Sequence, residues 1–101
     1  ELLEAQVLQD ADGLEATGAI AIMRTFASTG QMRRPFYHPV DPLCGTRPPD
    51  PKSYALDLFY ARLLVVRDRM HTETARRLAE ERTAFLRLFI EQFVRELYGS
   101  P

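Results

Sequence analysis

The sequence predicts an all-α domain, a bundle of about four helices with one long proline-rich loop. Apolar residues recur at three- and four-residue steps near both ends of the chain, which is the spacing of a buried helical face. Six of the seven prolines lie between residues 30 and 52, where they interrupt the helical pattern. No segment has the strict alternation of a strand.

The composition indicates a single domain over residues 1–101. The 13 basic and 14 acidic residues are interleaved and give a formal net charge of −1, which excludes the broad basic surface of non-specific nucleic-acid binding. Apolar runs such as residues 63–66 are far shorter than the roughly 20 residues of a membrane span. A single cysteine, Cys44, excludes an internal disulfide. We therefore expect a cytoplasmic protein with neither nucleic acid nor membrane as partner.

The first helical region covers residues 2–29 and consists of one or two helices. Its first half carries an apolar face at helical spacing, formed by Leu3, Val7, Leu8, Ala11 and Leu14. Its second half combines small residues with larger apolar ones. Small side chains allow another helix to pack closely, so we expect a helix–helix contact there.

The proline-rich loop spans residues 30–52. Proline restricts its own backbone and that of the residue before it, so residues 34–39 should be extended. A loop of this length has a packing role or a binding role. The packing interpretation, in which Phe36 and Tyr37 fill the core, is the simpler of the two.

Two further helices are predicted after the loop. The first runs from about 53 to 70, is capped by Ser53, and buries a stripe formed by Leu56, Phe59, Leu63, Val66 and Met70. The second runs from about 72 to 98, with Thr72 as its N-cap and Gly99 as its stop. Its apolar line is formed by Leu78, Phe85, Phe89 and Phe93, and it is widened by Leu86, Ile90, Val94 and Leu97.

Asp10, Asp12 and Glu15 are the most distinctive candidates for chemistry. On a helix Asp10 and Asp12 point about 200° apart, because each residue turns about 100°. They therefore cannot bind one ion together, whereas Glu15 shares the face of Asp12. Carboxylates bind hard cations or, together with histidine, transition metals. On spacing alone, a solvated acidic turn is the more common interpretation of such a cluster.

The other polar residues have simple interpretations from spacing. His38, His71 and Cys44 form no recognisable catalytic or metal-binding motif, and surface or capping roles suffice for them. Arg24, Arg33 and Arg34 could bind a phosphate through their planar guanidinium groups, although most arginines of such a chain are only solubilising.

The first third of the chain resembles a signature of small bacterial HD-domain metal-dependent phosphohydrolases, (L/V)QDADRLDAxGAIGIxRTF. The resemblance rests on residues 8–16 (LQDADGLEA), 18–20 (GAI) and 24–26 (RTF). Later agreements follow in order and extend the resemblance over nearly the whole chain. They are residues 34–37 (RPFY), 59–60 (FY), 63–64 (LL) and 72–82 (TETARRLAEER).

The resemblance implies an all-α fold in which a His, a later His-Asp pair and a final Asp bind a divalent metal that activates water. The final Asp corresponds to Asp12, with Asp10 as the alternative ligand. The metal could be Mn, Mg, Fe, Ni or Zn, and the substrate a small phosphate ester, nucleotides among them, bound through Arg24 and Arg34. Two positions depart from the signature: Gly13 replaces Arg, and Glu15 replaces Asp.

The sequence contains no His-Asp dipeptide, and both histidines follow Asp12. We therefore expect the chain to be the C-terminal part of such a domain, inactive and without a tight metal site on its own. The alternative is a non-catalytic helical interaction module. In either case, the apolar surface that other helices would cover predicts self-association, a homodimer being the simplest form.

Overall fold

The computed structural model describes residues 2–99, which fold into helices joined by turns and one long loop. Their order is α1 (Leu2–Leu14), α2 (Ala19–Met32), α3 (Asp57–Ala61), a 3-10 helix (Leu63–Arg69) and α4 (Glu73–Tyr98). No strand occurs in this part of the chain, so the predicted all-α class is confirmed. None of these helices is long and apolar enough to cross a membrane.

The first helical region consists of two helices, and Gly18 makes the turn between them. Gly18 has a φ of 88°, a left-handed conformation that favours glycine. A Cβ at this position would lie 3.1 Å from Cβ of Arg82 on α4. The turn therefore needs glycine both for its backbone and for the close approach of α4. The second helix continues through Gly30 to Met32, beyond the predicted end at Thr29.

The predicted helix from 53 to 70 is wrong as a continuous element. α3 covers only Asp57–Ala61, and Arg62 interrupts it with a φ of −140° before the 3-10 helix begins. Ser53 is not the N-cap of α3. Its backbone N–H donates instead to the carbonyl of Asp50 in a turn, at 3.0 Å. The backbone N–H groups at 55 and 56 bind the loop carbonyls at 35 and 36, so contacts with the loop override the helical pattern.

The apolar stripe predicted for that segment is nevertheless confirmed. Each of its members is at most 7% exposed; they are Leu56, Phe59, Leu63, Val66 and Met70. A 3-10 helix has three residues per turn, so Leu63 and Val66 share a face even though the α-helix has ended. The hydrophobic pattern therefore predicted which residues are buried, but not whether they lie in an α-helix or in a 3-10 helix.

α4 begins and ends where the sequence predicts. The Thr72 hydroxyl accepts a hydrogen bond from the N–H of Ala75 at 3.2 Å, and Gly99 follows the last turn with a φ of 76°. The predicted apolar line is wrong for Leu78 and Phe85, which are 38% and 46% exposed. The buried face instead begins with small residues, which let α4 pack closely on the 3-10 helix. Its members are Ala75, Ala79, Thr83, Leu86 and Ile90.

The proline-rich loop is ordered by side-chain contacts and runs over residues 33–56. The ring of Tyr37 packs edge-on against Phe93, with centroids 5.1 Å apart, as the packing interpretation predicts. Phe36 does not fill the core: it contacts the edge of Phe26 but is 61% exposed.

A buried ion pair anchors the loop to α3. The Arg47 guanidinium donates to both oxygens of Asp57, at 2.5 and 3.0 Å, and Asp57 is completely buried. Burial raises the pKa of Asp57, but the bonds from Arg47, the N–H of Asp50 and Cys44 together hold it below its usual value. The pKa of Cys44 is raised to about 11. Burial is the largest cause, and the hydrogen bond to Asp57 and its negative charge add to it. The thiol is therefore protonated at neutral pH, in agreement with an ordinary loop cysteine.

Candidate functional site

Asp12 lies near the end of α1 and lines a groove of about 230 Å³ between the α1–α2 turn, α2 and the end of α3. The groove has an apolar floor that includes Leu58 and Leu63. Its polar lining consists of Asp12, Glu15, Arg24, Thr25, Ser28 and Arg62. Two carboxylates and two guanidinium groups thus share one concave surface.

The Asp12 carboxylate is free to bind a ligand. The residue is exposed, and among residues 2–99 no group donates a hydrogen bond to its side chain. Glu15, one turn further on, lines the same groove, as expected from helical spacing. Asp12 therefore has the position and the open coordination that a metal ligand requires.

Asp10, the alternative ligand, is occupied by the protein itself. It is 3% exposed, and one oxygen accepts the N–H of His71 at 2.7 Å. The other accepts the N–H and the hydroxyl of Thr72, at 2.8 and 2.9 Å. Burial raises the pKa of Asp10, but these three hydrogen bonds together lower it below its ordinary value. Asp10 joins α1 to the start of α4, which favours Asp12 for the ligand role.

Arg24 lies in the same groove as Asp12. Its guanidinium contacts the Glu15 carboxylate at 3.4 Å, and both side chains are more than 60% exposed. An exposed pair at this distance contributes little stability and is readily displaced. Arg24 is therefore available to an anionic ligand.

Arg34 does not line this groove. Its guanidinium donates to the Thr29 hydroxyl at 2.9 Å and to the carbonyls of Pro51 and Thr25, at 2.5 and 3.2 Å. These bonds tie α2 to the end of the proline-rich loop. The structure thus gives Arg34 a packing role and does not bring it together with Asp12.

The residues that the structure describes do not form a complete metal site. Within 2–99 no three His, Cys, Asp or Glu side chains are grouped to hold an ion. Nδ1 of His38 accepts the N–H groups of Val40 and Asp41 inside the loop. Asp12 fits a metal as a single carboxylate ligand, and the remaining ligands would have to come from elsewhere.

Arg62 is the one charged residue of the groove that the sequence analysis missed. Arg62 follows Leu58 by four residues, and its N–H donates to the Leu58 carbonyl at 2.9 Å, so both residues lie on the same side of α3 and line the same groove. Helical spacing could have placed Arg62 beside Leu58, but only the fold shows that residues of α1 and α2 line the groove with it.

A larger, mostly apolar groove of about 650 Å³ lies between the α1–α2 turn and α4. Leu14, Ile20 and Phe85 line it, and a second groove beside it is lined by Val7 and Leu78. Leu78 and Phe85, which α4 leaves exposed, therefore face these grooves.

The fold matches solved HD-like structures, although no protein-family model matches the chain. An HD-superfamily hydrolase from Bacillus thuringiensis is 41% identical with a TM-score of 0.81, covering 97% of this chain and 48% of that one. Bacillus subtilis YpgQ, solved in complex with ADP, is 36% identical with a TM-score of 0.77, covering 95% of this chain and 45% of that one. The chain therefore has an HD-like, hydrolase-type fold.

A curated relative agrees with these structures. The uncharacterized protein YpgQ of Bacillus subtilis strain 168 is 35% identical over 97 residues, which are 96% of this chain and 42% of YpgQ. The chain thus spans slightly less than half the length of the relatives that it matches. HD-superfamily proteins in general use a divalent metal.

Proposed function

We propose that this chain is the C-terminal part of an HD-type metal-dependent phosphohydrolase and that Asp12 is one of its metal ligands. One observation carries the assignment. Of the two aspartates in the signature, Asp10 has both oxygens occupied by donors of His71 and Thr72, just before α4, whereas Asp12 lies free at a groove. The remaining ligands, a His and a His-Asp pair, would be supplied by a segment outside this sequence.

The groove residues have separate tasks in this proposal. Asp12 holds the divalent ion, which, when bound, lowers the pKa of a coordinated water so that it can attack phosphorus near neutral pH. Arg24 leaves its weak contact with Glu15 and donates to a phosphoryl oxygen, since a guanidinium matches phosphate geometry.

The proposed substrates are small phosphate esters, and nucleotides are the first class to test. YpgQ, a relative with the same fold, has been solved in complex with ADP. The proposed location is the cytoplasm, and the metal is one of Mn, Mg, Fe, Ni or Zn.

The origin of the missing ligands is tested by sequencing the gene and measuring the intact mass of the natural protein. A His and a His-Asp pair should precede residue 1 in the natural product. Calorimetric titration with Mn²⁺ should then show tight one-to-one binding that is lost in Asp12→Ala, and only weak binding by the 101-residue chain. Sub-micromolar binding by the short chain that disappears in its Asp12→Ala variant would contradict this proposal.

The second candidate function is a helical interaction module, in which the chain pairs with a second copy of itself. The favouring observation is apolar surface on α1 and α2. Several large side chains there are at least 50% exposed, among them Leu3, Val7, Ile20 and Met23. Exposed apolar surface of this kind is typical of interaction sites.

A further inference from the structure

We propose that Arg62 is a substrate-binding residue that, together with Arg24, holds the phosphoryl group presented to Asp12. This inference rests on the proposed function and adds a residue that the family signature does not contain. Arg62 lies 38 positions after Arg24 in the sequence, yet both line the groove that Asp12 lines.

The backbone places Arg62 at the groove. α3 ends at Ala61, and Arg62 has a φ of −140° and a ψ of −54°, outside the helical range. Its N–H still donates to the carbonyl of Leu58 at 2.9 Å, which fixes the position of the residue over the end of α3. Leu58 and Leu63, on either side of it in sequence, form part of the groove floor. The hydrogen bond to Leu58 therefore keeps a charged residue beside the apolar part of the groove floor.

The charged side chains of the groove also indicate that its ligand is an anion. Within residues 2–99 the Arg62 guanidinium takes part in no ion pair or hydrogen bond, and Arg24 has only its exposed contact with Glu15. Asp12 and Glu15 balance the two arginines formally. A divalent cation bound by Asp12 and by the Asp of the proposed His-Asp pair would leave a net positive charge in the groove, which a phosphate ester would neutralise. Thr25 and Ser28 add hydroxyl groups to the same lining.

The substitutions are chosen to separate binding from folding. Arg62 is exposed, so Arg62→Ala should leave the helical fold and its melting temperature unchanged. Arg69→Ala is the matched control, because Arg69 is an exposed arginine on the adjoining 3-10 helix that does not line the groove. Arg62→Lys retains the charge but loses the planar, two-pronged donor, so it should restore binding only in part.

The measurement is the dissociation constant of ADP, determined by calorimetry on the full-length natural protein. Arg62→Ala should weaken ADP binding by roughly 10- to 100-fold, as expected for loss of a charge-assisted hydrogen bond, and Arg69→Ala should not change it. In hydrolysis assays the loss should appear mainly as a raised KM, which a purely structural role for Arg62 would not produce.

The outcomes distinguish the inference from the proposed function. If Arg62→Ala binds ADP as tightly as Arg69→Ala while Asp12→Ala abolishes hydrolysis, the assignment of Arg62 is wrong and the proposed function stands. If the wild-type protein neither binds ADP nor hydrolyses any phosphate ester with Mn²⁺, both are overturned.

Discussion

Asp10 and Asp12 are two residues apart on α1 and serve opposite purposes. A helix turns about 200° between them, so one carboxylate faces the interior and the other faces the groove. Asp10 is buried and binds three donors at the start of α4, whereas Asp12 is exposed and open. This difference separates a residue that maintains the fold from one that can bind a ligand.

Asp10→Asn should destabilise the protein by about 1.5–3 kcal/mol at pH 7, because it removes charge-assisted hydrogen bonds in a buried site. Asp12→Asn, the matched control, should change stability by less than about 0.5 kcal/mol. Urea unfolding at pH 7 measures both. Equal stability of the two variants would contradict the role assigned to Asp10.

Lowering the pH should remove the contribution that Asp10 makes to the free energy of unfolding. Its pKa is lower in the folded protein than the unperturbed 3.8, so the unfolded state binds protons first as the pH falls. The contribution is complete at pH values well above 3.8 and is lost as the pH falls through the lowered value. Melting temperatures measured from pH 7 to pH 2 should therefore fall less steeply for Asp10→Asn than for wild type.

The Arg47–Asp57 pair is the strongest buried electrostatic contact in the loop. Removing Arg47 would leave the completely buried Asp57 carboxylate without its cation. Arg47→Ala should therefore lower stability by about 3–5 kcal/mol. A denaturation midpoint within error of that of wild type would show that the pair is not needed to anchor the loop.

At the scale of elements, the sequence predicted which residues are buried better than it predicted the helices that bury them. Periodicity identified the stripe from Leu56 to Met70, because burial follows hydrophobicity at three- and four-residue steps. α3 starts only at Asp57, because the N–H groups at 55 and 56 bind the loop carbonyls at 35 and 36, which are distant in sequence. The resemblance singled out Asp12, Arg24 and Arg34, but only the fold shows that Asp12 and Arg24 line one groove with Arg62, whereas Arg34 ties α2 to the loop.

The turn between α1 and α2 provides a matched pair of glycine substitutions. Gly18→Ala should destabilise by more than about 1 kcal/mol, because alanine is strained at a φ of 88° and its Cβ would crowd Arg82. Gly30→Ala should stabilise by about 0.5–1 kcal/mol, because Gly30 lies in α2 with open space around it. Thermal unfolding of both variants should shift in opposite directions.

At the scale of the whole molecule, the open apolar grooves beside α4 predict association. The 101-residue chain should form dimers at tens of micromolar, since two copies can cover each other's apolar surface. Val7→Glu and Ile20→Glu should shift the equilibrium toward monomer, whereas the exposed control Asp68→Ala should not. Light scattering that shows a cooperatively folded wild-type monomer at these concentrations would refute the prediction.

The central claim is that Asp12 binds the catalytic metal, and hydrolysis by the full-length natural protein tests it most directly. Phosphate release from nucleotides and simple phosphate monoesters is measured with Mn²⁺ for the wild type, Asp12→Ala and Asp68→Ala. The account predicts that Asp12→Ala abolishes metal-dependent hydrolysis while its circular dichroism and melting temperature remain those of wild type, and that Asp68→Ala is fully active. Full activity of Asp12→Ala would contradict the claim.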